Sequence, residues 1–439
     1  MKKLFFLIAA AVCTLPLLVN AAEPGKDWEL YGSARMSGWY WDRAMFYGDT
    51  VAFNPSTYNE DPVRQKRMIW DLEYMSRFGA HVKKDKYAFR FELGWNPTIR
   101  QYNVAIVGFE ANTAAKYRDG LVLRRLYGEW FINQYLTLLI GQEWCIANFF
   151  PSAQAFDMES GLCYSGALYT GRKPQVRLSG EVKNIASMLN ARAEFSVVKP
   201  DTSIIGTWDE ARYVDAEEII PKLEGGATIE FQQGLVGIKT QLVAGINRYN
   251  LVTHRNQPNL TTRNLVNTNC LAADIDLTVW KCRLSFAYAQ GTNLASYGVL
   301  MGNPWGDRTD EEIMLFYPRW GLSASDSINL HLCDVFTKQG CAVFNFKPFN
   351  FLAFEIGAGK ILNFPEAFDY LRQAEGYGKN VNRRWAWYTN LQFSLLDGHM
   401  LIIPEYSFSD LGGGTSNPPS QPPNAGKWKA YGVLLQFDM

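Results

Sequence analysis

The sequence predicts an all-β chain closed into a transmembrane antiparallel β-barrel. Three observations carry this. Segments of about ten residues alternate apolar and polar side chains; the connections between them alternate short and long; and the alternation runs to the last residue, Met439. A bilayer offers the backbone no hydrogen bonds, so spanning strands must all pair, with apolar side chains toward lipid and polar ones toward an enclosed interior.

The chain opens with Met1, Lys2 and Lys3, an apolar stretch from Leu4 to Val19, and the small residues Ala21 and Ala22. That is the pattern of a cleaved secretory signal peptide, so residues 1–22 are set apart and 23–439 are read as one outer-membrane barrel. No Pro/Ser/Gly-rich linker divides the rest, and no segment reaches the ~18 to 20 consecutive apolar residues of a spanning helix. Lys and Arg number 43, as do Asp and Glu, giving a net charge of +0. A nucleic-acid partner would call for a basic excess, and none is expected.

The first clear stave is Met68 to Val82. Trp70, Leu72, Tyr74, Phe78, Ala80 and Val82 share one face, with Asp71, Glu73, Arg77, Gly79 and His81 on the other. After the turn Lys83–Lys86, Tyr87, Phe89, Phe91, Leu93 and Trp95 oppose Arg90 and Glu92, completing a hairpin. Val176, Leu178 and Val182 then oppose Gln175, Arg177, Ser179 and Glu181; Ala191, Ala193, Phe195 and Val197 oppose Arg192, Glu194 and Ser196. The rhythm continues with Leu223, Ala227, Ile229 and Phe231 against Glu224, Thr228 and Glu230, and with Leu271 to Val279 against Asp274, Asp276 and Thr278. Because a Lys or Arg facing lipid near the midplane costs about 2 to 4 kcal/mol, such clean apolar faces are not accidental.

Short turns are expected near 83–86, 132–135, 232–234, 280–281, 348–350 and 396–399. Long loops are expected near 42–66, 96–120, 145–171, 199–220, 247–268, 291–311, 361–382 and 409–426. The count is about eighteen strands, with sixteen as the alternative; residues 312–347, with Pro318 and a turn at Thr337–Gly340, blur it. Trp39, Trp41, Trp95, Trp130, Trp320, Trp385, Trp387 and Trp428 fall near strand ends, where aromatic girdles sit.

Six cysteines follow the signal segment: Cys145, Cys163, Cys270, Cys282, Cys333 and Cys341. An oxidising compartment permits disulfides, and Cys145 with Cys163, inside one predicted loop, is the best single pair. No enzymatic signature and no cofactor motif is present, neither Gly-x-Ser-x-Gly, phosphate loop nor dinucleotide fingerprint. His331 and Cys333 sit two apart, a weak ligand spacing better read as lumen lining. Glu224 with Glu230, or Asp274 with Asp276, could be glycosidase carboxylates, but repeated acids on lumen faces explain them equally well.

Two patches carry a family resemblance. Leu123-Arg124-Arg125-Leu126-Tyr127-Gly128-Glu129-Trp130 leads to Leu138-Leu139-Ile140-Gly141-Gln142-Glu143-Trp144, and Arg172-Lys173-Pro174-Gln175-Val176-Arg177-Leu178 follows. They resemble the Arg-x-Ala-Tyr, Gly-Gln-x-Trp and Arg-x-Pro-Gln-x-Arg strands of the Gram-negative trimeric porin superfamily, especially its DcaP-like branch. Leu126 and Glu143 depart from the commonest residues, which points to the superfamily rather than firmly to the branch. The final strand, with Tyr431, Val433, Leu435, Phe437 and Met439 apolar in alternation, resembles the terminal signal read by the outer-membrane assembly machinery.

The resemblance implies a homotrimeric porin in the outer-membrane bilayer, passing ions and small hydrophilic solutes by passive diffusion rather than acting as an enzyme. It implies that loop 3, residues 145–171, folds inward to narrow the pore against a basic wall. Glu143, Asp157 and Glu159 are the acidic candidates for this constriction; Arg35, Arg77, Arg90, Arg125, Arg177 and Arg192 are the basic ones. A channel specific for sugars or small carboxylates is the alternative. A secreted all-β carbohydrate-binding protein or polysaccharide-degrading enzyme is a more distant one.

Overall fold

A computed structural model describes residues 28–44, 64–73, 75–96, 120–155, 162, 165–185, 187–200, 212–255, 261–297, 334–365, 382–410 and 427–439. Within them run seventeen strand segments: β1 (Trp28–Ala44), β2 (Arg64–Leu72), β3 (Arg77–Lys84), β4 (Tyr87–Asn96), β5 (Gly120–Phe131), β6 (Leu136–Trp144), β7 (Arg172–Ile185) and β8 (Leu189–Val198). They continue as β9 (Arg212–Gln233), β10 (Val236–Arg255), β11 (Thr261–Val279), β12 (Cys282–Thr292), β13 (Val335–Phe349), β14 (Leu352–Pro365), β15 (Asn382–Leu395), β16 (Met400–Asp410) and β17 (Lys427–Asp438). A four-residue helix, α1 (Leu294–Tyr297), follows β12.

Closure comes from β17 returning antiparallel to β1, Ser33 opposite Asp438 through Arg43 opposite Trp428. Among the described strands no sheet edge is left open. The segments β2 and β3 lie end to end along β1, Met36 facing Leu72 and Ser33 facing Arg77, so together they make one stave. The barrel therefore has sixteen staves, the lower of the two counts that the sequence allows.

Two irregularities decide what points inward. Between β2 and β3 the partner of β1 gains two residues, which keeps the inside-outside phase because strands repeat every second residue. The Ser76 hydroxyl bridges the gap: it accepts from Arg35 N at 2.9 Å and donates to Arg35 O at 3.1 Å. Between β4 and β5 the shift is one residue. Glu92 faces Arg125, Leu93 faces Leu123, and Arg124 is left over as a bulge.

The outer face is apolar and bare, with Leu242, Leu271, Ile275, Phe286, Leu391 and Phe437 exposed. Exposed apolar surface on this scale marks contact with hydrocarbon. The buried clusters lie inside, where wall residues meet the β6–β7 connection and α1. Ile146, Ala147 and Leu168 pack with Val243, Cys270 and Tyr297, and Leu162 and Ala167 pack with Cys341 and Tyr388.

Several expectations need correction. Trp39, Trp41 and Trp428 are not in a lipid-facing girdle; they are buried inside the barrel around Ala155. Trp130 and Trp385 do lie exposed on the outer face, and Trp320 is outside the described residues. Thr337–Gly340 is not a turn but the middle of β13, paired on both sides. The turn joining β7 to β8 was not anticipated. The ends of β9, β10 and β11 take up residues expected to be loop at 212–220, 247–255 and 261–268.

Candidate functional site: the barrel lumen

The lumen faces of β1 to β8 gather arginines around a few carboxylates. Arg124 Nε donates to Glu92 Oε1 at 2.7 Å, Tyr31 Oη donates to Glu92 Oε2 at 3.0 Å, and Arg77 Nε lies 4.0 Å from the same oxygen. Arg125 Nε is 3.2 Å from Glu143. Glu194 takes Arg192 at 2.6 Å and Arg177 at 3.4 Å, while Arg177 also donates to Gln175 and to the Trp144 carbonyl. Arg90 lies over the Tyr31 ring and donates to its hydroxyl at 3.0 Å. Arg35 shares the lumen phase of Ser33 and Ser37 and is half-buried. Arg35, Arg77, Arg90, Arg124, Arg125, Arg177 and Arg192 are gathered here among Glu73, Glu92, Glu129, Glu143, Glu181 and Glu194, so this wall is dense in opposed charges. In a confined, low-dielectric passage such opposed charges orient dipolar solutes.

The opposite wall is acidic, and its carboxylates are engaged by the chain itself. Ile146 N donates to Glu224 at 2.8 Å, Ala153 N to Glu355 at 2.7 Å, and Ala155 N to Glu405 at 2.6 Å. A connection away from any strand ladder must still satisfy its buried N–H groups, and carboxylates do so with charge-assisted bonds. Gln154 Nε2 reaches Ser407 at 3.2 Å, and Gln339 Nε2 reaches the Ala167 carbonyl at 3.0 Å. Residues 145–155 and 165–171 thus run along the inner faces of β9 and β13 to β16.

Each sequence candidate on the described strands falls on the lumen side. Arg35 sits on β1, Arg77 on β3, Arg90 on β4, Arg125 on β5, Arg177 on β7 and Arg192 on β8, with Glu143 at the end of β6. Asp157 and Glu159, like the signal segment, Cys163, His331 and Cys333, lie outside the described residues. Sequence reasoning missed Arg124, because strict alternation would have sent it outward; two adjacent arginines inside a strand were the available signal for a bulge. It also missed the loop-binding role of Glu224, Glu355 and Glu405. Three of the four carboxylates weighed as glycosidase pairs have structural partners: Glu224 holds Ile146, Glu230 pairs with Lys239 at 2.7 Å, and Asp276 pairs with Arg283 at 2.9 Å, whereas the buried Asp274 Oδ1 has no hydrogen-bond partner among the described residues. Cys145 is a buried free thiol and not half of a disulfide; burial raises its pKa and keeps it protonated.

No family model and no curated protein matches the sequence. Solved structures do match. The outer membrane channel DcaP of Acinetobacter baumannii is 14% identical, over 95% of this chain and 99% of that one, with a TM-score of 0.61. A loop-deletion mutant of OmpT, an outer membrane protein of Vibrio cholerae, is 9% identical over 94% of this chain and 99% of that one, with a TM-score of 0.50. With its sixteen closed antiparallel staves, apolar outer face and charged lumen, the chain shares the barrel fold of that outer membrane channel.

Proposed function

We propose that the chain is a member of the Gram-negative trimeric porin superfamily, exported after loss of residues 1–22 and resident in the outer membrane as a homotrimer. Its role is passive diffusion of ions and small hydrophilic solutes; it is not an enzyme. The β6–β7 connection is the inward-folded loop 3, with Asp157 and Glu159 as its acidic side, Glu143 paired with Arg125 at its start, and Arg35, Arg77, Arg90, Arg124, Arg125, Arg177 and Arg192 as the basic wall of the constriction. The observation that carries this reading is the set of three loop N–H groups held by Glu224, Glu355 and Glu405. They draw the loop to one side and leave the passage beside the arginines.

The guanidinium groups gathered on one wall would receive small carboxylates better than sugars. The terminal strand β17, followed by Met439, serves as the signal to the assembly machinery. Single-channel recording in planar bilayers with a size series of sugars tests the channel. Changing Arg77 and Arg177 together to Ala should move the reversal potential under a salt gradient toward cation preference. An unchanged potential argues against the basic constriction, and absence of current argues against a channel altogether.

A further inference from the structure

Glu224 holds two chain segments at once. Its Oε2 accepts the Ile146 N–H of the β6–β7 connection at 2.8 Å, and its Oε1 accepts the Tyr297 hydroxyl at 2.9 Å. Lys222 Nζ completes the group at 2.9 Å from the same Oε1. All three side chains are buried, with Tyr297 at 0% exposure. An ionised carboxylate offers about four acceptor positions, enough for these three donors, and a charge so removed from water needs the lysine as counterion.

The wall is cut to receive both segments. Gly245 stands opposite Glu224 across β9 and β10, and any Cβ there would run into the Tyr297 hydroxyl. A Cβ on Gly226 would come within 2.6 Å of Ile146. The start of α1 is fixed independently: Asn293 Nδ2 donates to Asn267 O at 2.9 Å, and Asn293 Oδ1 accepts from Val335 N at 3.0 Å. Leu294 and Tyr297 then enter the same buried cluster as Ile146 and Ala147.

We propose that the lumen is narrowed by two segments rather than one, the β6–β7 connection and the turn Asn293–Tyr297, and that Glu224 is the positioning residue that seats both. The inference rests on the channel reading above. Because one carboxylate serves both, loss of either contact loosens the other.

Wild type, Tyr297→Phe, Glu224→Gln, the double variant and Gly245→Ala are compared in planar bilayers, each first checked for heat-modifiable migration. Ser76→Ala, which breaks two hydrogen bonds to the Arg35 backbone at the β2–β3 junction, in contact with neither segment, is the control for general loosening of the wall. Tyr297→Phe and Gly245→Ala should each raise the fraction of time in a larger, noisier open state about tenfold, equivalent to about 1.4 kcal/mol. Glu224→Gln should do at least as much, the double variant no more than Glu224→Gln alone, and the control should match wild type. Should Glu224→Gln fail to assemble, Tyr297→Phe and Gly245→Ala decide the matter. Traces of those two that match wild type, or an equal effect in the control, overturn the inference while leaving the channel intact; a wild type without current overturns both.

Discussion

Replacing Glu92 by Gln removes one negative charge from among the arginines while keeping the side chain's size. Arg124 Nε is 2.7 Å from Glu92, and both side chains are 2% exposed; Arg77 Nε, 4.0 Å away, is 38% exposed. Breaking a fully desolvated ion pair on one side costs about 3 to 5 kcal/mol. Lumen water beside Arg77 screens part of this, so the loss of one charge-assisted bond, about 2 to 3 kcal/mol, is the better figure. Arg124→Met should cost a similar amount by removing the cation nearest the carboxylate. The double variant Glu92→Gln/Arg124→Met should cost less than the sum, by at least about 1 kcal/mol. Reversible urea unfolding in lipid vesicles, followed by Trp fluorescence, measures all four corners of this cycle. Costs that add to within about 0.5 kcal/mol would mean that Arg124 does not lie inside against Glu92, and the bulge would then be misassigned.

Three further outcomes follow from the same geometry. Leu242→Arg, on the exposed outer face, should destabilise the protein in vesicles by about 2 to 4 kcal/mol, whereas Thr278→Arg, on the lumen face of the neighbouring strand, should cost far less. Ser76→Ala removes both bonds to the Arg35 backbone and should cost about 1 to 3 kcal/mol in the same unfolding assay. Trp428→Ala empties the cluster around Ala155 and should cost about 3 to 5 kcal/mol, more than Trp385→Ala on the outer face, as read from the unfolding midpoints.

Alternation made the barrel readable because its rule is local: each residue's face follows from its neighbour's. The same rule, followed strictly, would have put Trp39 and Trp41 inside, since they share the odd-numbered phase of Arg35, and Trp428 inside, three positions before outward Tyr431. Reading them as a girdle gave strand-end position precedence over phase. Arg124 was hidden for the opposite reason, because a bulge suspends the rule for one residue. Thr337–Gly340 looked like a turn from its composition, yet Gly340 serves close approach: a side chain at Gly166 would strike the Gly340 carbonyl. The roles of Glu224, Glu355 and Glu405 were illegible because each acts on a residue 78, 202 or 250 positions away, and no local pattern records such a distance.

The two irregularities beside the arginines also bear on how such a wall can change its length. Two added residues, as at Glu73–Ser76, lengthen a stave and turn nothing over, so the oily and wet sides survive the insertion. One added residue would swap the two sides for the remainder of the stave unless a single position absorbs it. Here that position is occupied by a guanidinium group with a carboxylate waiting for it, so the extra residue becomes part of the water-facing lining.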